Sequence, residues 1–231
     1  MLSKDYSMNS AIPVITIDGP SASGKGTVAQ LVATELGFHY LDSGALYRIV
    51  ALATQQQNIA WSNAPAIAEC AKNLVITFIN DQVFLNNKEV TSDIRTEAMG
   101  KGASQVAVHE PLRKVLIDIQ HAFCKAPGLV ADGRDMGTVI FPHAPLKVFL
   151  TASTEVRASR RYQQLINKKQ AANYDDILQD LLERDARDQN RASAPLIMAD
   201  DALLLETDNL TISQAVNYVL DKYQRFIQFS A

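Results

Sequence analysis

The first apolar run, Pro13-Val14-Ile15-Thr16-Ile17-Asp18, is continuous rather than alternating and stops at Gly19-Pro20. A strand of that kind belongs to a sheet covered on both faces. Beyond the loop, Val28, Leu31, Val32 and Leu36 recur at helical spacing, and Gly37 supplies a C-cap. The alternation then repeats. Phe38–Leu41, Leu129–Asp132, Leu146–Leu150 and Ala202–Leu205 read as strands, and 45–57, 111–123, 154–168 and 174–191 as helices. Asp42-Ser43 stands where the N-cap of the second helix belongs. Thr211-Ile212-Ser213-Gln214 is a capping box opening a last helix that runs to Phe226. Strands alternating with long helices predict an α/β fold with a parallel sheet and right-handed crossovers.

One stretch departs from this rhythm. Leu74–Ile79, Val83–Leu85 and Glu89-Val90 are short strand-like runs separated by the turn pairs Asn80-Asp81 and Asn86-Asn87. They predict a small antiparallel meander. Residues 68–105 therefore read as an insertion into a core formed by 12–67 and 106–231. Residues 1–11 read as a disordered tail in which Met8 is a second candidate start, and they lack the apolar centre of a signal peptide.

Composition narrows the picture. With 231 residues, 47% of them hydrophobic, the chain can bury a sizeable core without disulfide staples. A formal net charge of −3 argues against a protein that coats nucleic acid, while leaving room for a locally basic pocket. Cys70 and Cys124 stand far apart in no CxxC spacing, which speaks against a disulfide framework or zinc site and for reduced thiols in the cytoplasm. His39, His109, His121 and His143 make no metal spacing, and the tyrosines other than Tyr47 read as core or surface. No apolar run approaches the ~18 residues of a membrane span.

Gly19-Pro20-Ser21-Ala22-Ser23-Gly24-Lys25-Gly26-Thr27 lies between the first strand and the first helix, the setting a GxxxxGK phosphate loop requires. Its glycines let backbone N–H groups turn inward around a phosphate chain, the helix N-terminus adds positive potential, and Lys25 is a mobile cation for the β- and γ-phosphates. Gly26 intervenes before the hydroxyl of Thr27. Mg²⁺ follows from such a loop, because it bridges the phosphates and neutralises developing charge. The loop does not name the acceptor. No DxxG occurs, and Asn167-Lys168-Lys169-Gln170 lacks the Asp of an NKxD, which excludes a GTPase signature. A kinase for another acceptor, such as UMP, AMP or shikimate, and a regulatory protein that binds ATP without turnover both stay open at this point. The helix from Tyr174 adds a clue: Ile177, Leu181, Arg184, Asp188 and Arg191 fall within an arc of about 80°. A face that begins apolar ends charged, with Arg184 and Arg191 in pairing reach of Asp188. Spacing alone reads equally well as a solvated ion-pair stripe.

The GKGT sequence is shared with nucleoside monophosphate kinases. The stretches 15–21, 41–48, 94–96, 103–107, 131–139 and 184–196 together resemble the bacterial cytidylate kinases, from about residue 12 to the end of the chain. The resemblance implies a three-layer P-loop fold with a parallel five-stranded sheet, an inserted antiparallel domain at 68–105 that binds the nucleoside monophosphate, and a short lid at 158–173. It implies transfer of the ATP γ-phosphoryl group to CMP or dCMP, giving CDP or dCDP in pyrimidine nucleotide metabolism. The implied partners are ATP and CMP or dCMP with Mg²⁺, without nucleic acid or membrane, in a cytoplasmic monomer. Ser21, Ala22, Ser23, Gly24, Lys25, Gly26 and Thr27, with Gly19 and Pro20, would hold ATP. Arg48, placed on the first turn of the second helix, would take the CMP phosphate beside Ser43 and Tyr47. Ser104 and Arg113 match positions that read the cytosine ring. Asp132 would hold Mg²⁺ through water together with Thr27. Arg134 resembles a phosphate ligand, and Asp135 the acceptor for the cytosine amino group; uracil presents an acceptor there, which a carboxylate repels. Arg184 and Asp188 would hold the ribose hydroxyls, and Arg191 the phosphate and base region. Lys25, Asp132, Arg134 and Arg191 form the implied catalytic set. Arg157, Arg160 and Arg161, with Lys168-Lys169 and Asn173, look like a lid over ATP, and Gln189 stands where some relatives carry another arginine. Arginines suit this work because they stay charged and grip phosphate bidentately. A nucleotide phosphate is already anionic near neutral pH and needs no base.

Overall fold

β1 (Val14–Asp18) is buried at every position, as its unbroken apolar run requires. A computed structural model describes residues 12–79 and 82–230; the tail and the Asn80-Asp81 turn lie outside them. The phosphate loop leads into α1 (Lys25–Leu36), which stops at Gly37 in the left-handed conformation, φ 65°. β2 (His39–Asp42) follows, then α2 (Ser43–Gln56), capped by the Asp42 carboxylate accepting from the Ala45 amide. α3 (Ala64–Lys72) is a helix that the sequence pattern left as connection and partly as insertion. Asn63 caps it, and a proline sits in its first turn.

The antiparallel sheet is confined to β3 (Ile76–Ile79), β4 (Gln82–Leu85) and β5 (Lys88–Glu89). Asn86 and Asn87 both adopt positive φ, 50° and 66°, which is what a two-residue hairpin turn demands. The rest of 68–105 is largely helical: the end of α3, then α4 (Thr91–Ile94) and α5 (Glu97–Val106). β4 turns Val83 and Leu85 inward against Ile49 and Leu52 of α2, with Ile94 and Met99 closing the cluster.

The chain continues through α6 (Glu110–His121), β6 (Leu129–Gly133), a π-helical turn (Met136–Ile140) and β7 (Leu146–Thr151). α7 (Thr154–Asn167), α8 (Tyr174–Asn190), β8 (Leu203–Glu206) and α9 (Ile212–Ser230) complete it. The capping box forms at α9: Gln214 Oε1 accepts from the Thr211 amide while Thr211 Oγ1 accepts from the Gln214 amide. Of the stretch 158–173, only 168–173 leave the helix.

The large sheet has the order β2-β6-β1-β7-β8, all parallel. Its strands alternate between two helical layers. Ile15, Ile17, Val130 and Val148 pack on Val28 and Val32 of α1 and Val216 and Val219 of α9. Val14, Leu129 and Ala131 pack on Leu46 of α2 and Leu112 and Leu116 of α6. Register aligns Asp42 with Asp132 and Asp18 with Gly133, so three carboxylates end adjacent strands at the edge where open α/β sheets bind ligands.

Candidate active site

The loop after β1 owes its path to two glycines. A Cβ on Gly19 would lie 1.9 Å from the carbonyl oxygen of Leu150, so β1 and β7 could not approach. Gly24 caps α1 at φ 91° without a side-chain cap, leaving the helix N-terminus open. Lys25 is buried, with Nζ 3.4 Å from the Pro20 carbonyl oxygen. Burial, reinforced by Arg134, pulls its ammonium down to about 7.

Below the loop lies a carboxylate–phenol pair that sequence reasoning missed. Tyr40 Oη donates to Asp132 Oδ1 at 2.6 Å, so Tyr40 is neither plain core nor plain surface. Burial and the neighbouring Asp42 lift Asp132 to about 6, against the pull of Lys25; burial and Asp132 push the Tyr40 phenol well up. A Cβ on Gly26 would rest 3.5 Å from Tyr40 Oη and 3.7 Å from Asp132 Oδ2. The glycine of GKGT thus leaves the space above the pair clear, and Thr27 beside it is exposed. Among the described residues no three His, Cys, Asp or Glu side chains are placed to hold a metal by themselves. Two hard oxygen donors, Thr27 and Asp132, fit a Mg²⁺ that takes its other ligands from phosphates and water. Asp18 is a second missed residue. It accepts from the amides of Met136 and Gly137 at 2.9 and 2.8 Å, pinning the π-helical turn that follows Asp135. Burial raises it to about 7.

The arginines converge on one cleft of about 1340 Å³. Arg134 donates through Nε to Asp188 at 2.8 Å and through Nη2 to Ser21 Oγ at 3.3 Å. Asp188 therefore pairs across to β6's end rather than along its own helix to Arg184 or Arg191. Arg48 sits on the second turn of α2, not the first, and donates to the carbonyls of Ile94 and Thr96 at 2.9 and 3.1 Å. Burial holds it down to about 10. Arg184 is half-buried and its Nε has no hydrogen-bond partner; burial and Arg134 hold it down to about 9. Arg191 lies one residue beyond α8, in extended conformation. Its Nη2 stays 3.7 Å from Asp135 Oδ1 without a hydrogen bond, and Ser23 Oγ is likewise unpartnered. Buried polar groups in native proteins are nearly always paired, so unfilled donors around one cleft mark a place for an anion.

At the opposite end, Asp135 forms a buried ion pair with Arg113, whose guanidinium lies 5.8 Å from the Tyr47 ring centroid. Burial pushes Tyr47 up to about 12. Ser104 Oγ accepts from Arg187 Nε at 3.2 Å, and Ser43 Oγ donates to Gln120 Oε1 at 2.9 Å. Ser21 to Thr27, Ser43, Tyr47, Arg48, Ser104, Asp132, Arg134, Asp135, Arg184, Asp188 and Arg191 all line the cleft. Gly19, Pro20 and Arg113 are absent from its wall, Arg113 reaching it only through Asp135. The lid set divides. Arg157 is 3% exposed and braces the loop, donating to the Ser21 carbonyl at 3.1 Å and to Asp185 at 2.6 Å, so it is no part of a mobile cover. Arg160, Arg161 and Lys168 do border the cleft; Arg160 donates to Thr207 Oγ1 at 3.1 Å, and Arg161 pairs with Glu97.

Comparison with known proteins gives a consistent family. A family model for cytidylate kinase matches residues 15–225. The cytidylate kinase of Polynucleobacter asymbioticus is 59% identical over 218 residues, covering 94% of this chain and 99% of that one. That of Burkholderia multivorans is 59% identical over 212 residues, 92% of this chain and 93% of its own. Among solved structures, a gluconokinase from Sinorhizobium meliloti 1021 aligns with a TM-score of 0.47 at 16% identity, over 95% of this chain and 97% of its own.

Proposed function

The chain belongs to the cytidylate kinase family, and from that premise we propose that its cleft moves the γ-phosphoryl group of ATP onto the phosphate of CMP or dCMP. The products are CDP or dCDP and ADP. The observation that carries the site assignment is the gathering of cations in one cleft: Lys25 and Arg184, both held below their ordinary range by burial and by Arg134, with Arg184 Nε and Arg191 Nη2 left without hydrogen-bond partners. Polyphosphate relieves each of these penalties at once.

The loop backbone from Ser21 to Thr27 and the N-terminus of α1 take the ATP phosphates, and Lys25 takes the β- and γ-oxygens. Bound phosphate returns Lys25 to its charged form. Thr27 and, through water, Asp132 would hold Mg²⁺ at the start of α1, where it would supply positive charge against the charge that develops in transfer. Arg48, Arg134 and Arg184 receive the CMP phosphate from three elements, α2, the end of β6 and α8, which aligns donor and acceptor for in-line transfer. No group need remove a proton from the acceptor. Asp188 and Arg184 lie beside the ribose. Asp135, fixed by Arg113 and by the turn that Asp18 pins, accepts from the cytosine amino group, with Ser104 at the ring edge.

The meander and its flanking helices, within 68–105, serve as the monophosphate-binding insertion, and 158–173 as the cover over ATP. A cytoplasmic monomer suffices for this reaction; among the described residues no helix is long and apolar enough to cross a membrane. The test is kcat/KM for CMP, dCMP, UMP and AMP with ATP. CMP and dCMP should lead; equal efficiency across the four would remove Asp135 as the selecting group.

A further inference from the structure

Tyr40 reaches the phosphate end of the cleft from β2. β2 and β6 run parallel with Tyr40 level with Val130 and Asp42 level with Asp132, so Asp132 lies two residues further along the neighbouring strand. A phenol spans that offset and a phenyl ring does not. The ring packs against the β1–α1–α9 core, while the hydroxyl donates to Asp132 Oδ1 at 2.6 Å and lies 3.5 Å from the carbonyl oxygen of Gly26. A phenol that stays protonated can only donate to a carboxylate, so the bond has one sense. It ties one oxygen of Asp132 and thereby fixes the plane of the carboxylate, whose two oxygens lie against the start of α1, 3.7 and 3.9 Å from where a Cβ on Gly26 would stand.

Resting on the function proposed above, we propose that Tyr40 is a positioning residue for phosphoryl transfer: its hydroxyl orients the Asp132 carboxylate toward the cation that accompanies the ATP phosphates. Partners of this outer kind hold a ligand's orientation, and their loss costs about 10- to 100-fold in metal affinity or activity; Asp132 meets the ion through water, which places the expected loss at the lower end.

Tyr40→Phe keeps the ring and removes only the hydroxyl. With Mg²⁺ and ATP, kcat should fall about tenfold while KM for CMP stays unchanged, because the base end is untouched. Calorimetry supplies a second readout. In EDTA, ATP should bind Tyr40→Phe as it binds the parent. With Mg²⁺, the gain in ATP affinity that the ion gives should shrink about tenfold. Asp132→Asn should lose the same Mg²⁺-dependent gain, and adding Tyr40→Phe to it should cost nothing more. Parent-like kcat and Mg²⁺ dependence in Tyr40→Phe, beside an impaired Asp132→Asn, would overturn the inference and leave the proposed function standing. Additive losses in the double variant would also overturn it, since Tyr40 would then act apart from Asp132. A parent-like Asp132→Asn would remove Asp132 from the proposed site, and the inference with it.

Discussion

Asp135→Asn takes one negative charge out of a dry cluster. In the parent the carboxylate lies between Arg113, its ion-pair partner, and Arg191, whose Nη2 is 3.7 Å away; the three side chains are 4%, 6% and 3% exposed. One carboxylate against two guanidiniums leaves a single net positive charge, and the amide leaves two. Removing one partner of a buried pair costs about 3–5 kcal/mol. The asparagine carbonyl still accepts from Arg113, which places the expected loss at the lower end, about 3 kcal/mol. At this chain length each kcal/mol moves Tm by roughly 2–4 °C, so the midpoint should fall by about 6–12 °C. The same change alters base choice. An amide can turn either its carbonyl or its NH₂ outward. Loss of a charge-assisted bond to the cytosine amino group should cost about 1.5–3 kcal/mol, roughly 10- to 150-fold in kcat/KM for CMP, while UMP, freed from acceptor–acceptor repulsion, improves. Thermal unfolding and kcat/KM for both nucleotides, measured well below the variant's midpoint, read the two effects separately. An unchanged Tm would refute the ion-pair argument. An unchanged CMP-to-UMP ratio would show that Asp135 does not read the base, and would shift discrimination to Ser104 and Arg113.

Lys25→Ala should keep the parent's circular dichroism and lose on the order of 10³-fold in kcat, by the scale of arginine-finger effects; near-parental turnover would contradict the loop assignment. Lys25 is pulled down to about 7 in the free protein and phosphate restores its charge, so Lys25 should take up protons when metal-free ATP binds at pH 7, an uptake that Lys25→Ala should lose. Calorimetry in two buffers of different ionisation enthalpy measures that uptake, and buffer-independent heats would count against it. Asp18 is raised to about 7 by burial, so the stability it confers is complete below about pH 4 and is lost as pH rises through 7. Asp18→Asn should flatten that decline in denaturant titrations from pH 4 to 8, and a slope equal to the parent's would reject the assignment.

The alternation of strands and helices was legible because each core strand is buried on both faces and each long helix carries a regular apolar stripe. α5 was not, because Gly100 and Gly102 dilute its pattern. They are packing positions: a Cβ on Gly100 would lie 3.0 Å from Arg48 Nη2, and one on Gly102 2.6 Å from the Trp61 ring. α3 did announce itself, through Asn63 as cap and Pro65 in the first turn, but it is short. In the site, cleft-lining residues carried by contiguous motifs were legible in the sequence, whereas contacts made only by tertiary register were not. Tyr40 meets Asp132 across two strands, and Asp18 meets the π-helical turn 118 residues on. Arg157 was mistaken for a lid charge because an arginine on a helix face gives no sign of burial until its partners, the Ser21 carbonyl and Asp185, are in place. Asp188 likewise prefers Arg134 to the arginines three and four residues away, a choice that helix spacing cannot express.

The central claim is direct transfer within one cleft from ATP to a cytidine monophosphate. Incubation with γ-phosphate-labelled ATP, CMP and Mg²⁺ measures it most directly. The label should appear at the β-phosphate of CDP, matched one for one by ADP, with negligible transfer when UMP or AMP replaces CMP. Label released as inorganic phosphate, or delivered to all three acceptors alike, would contradict the account.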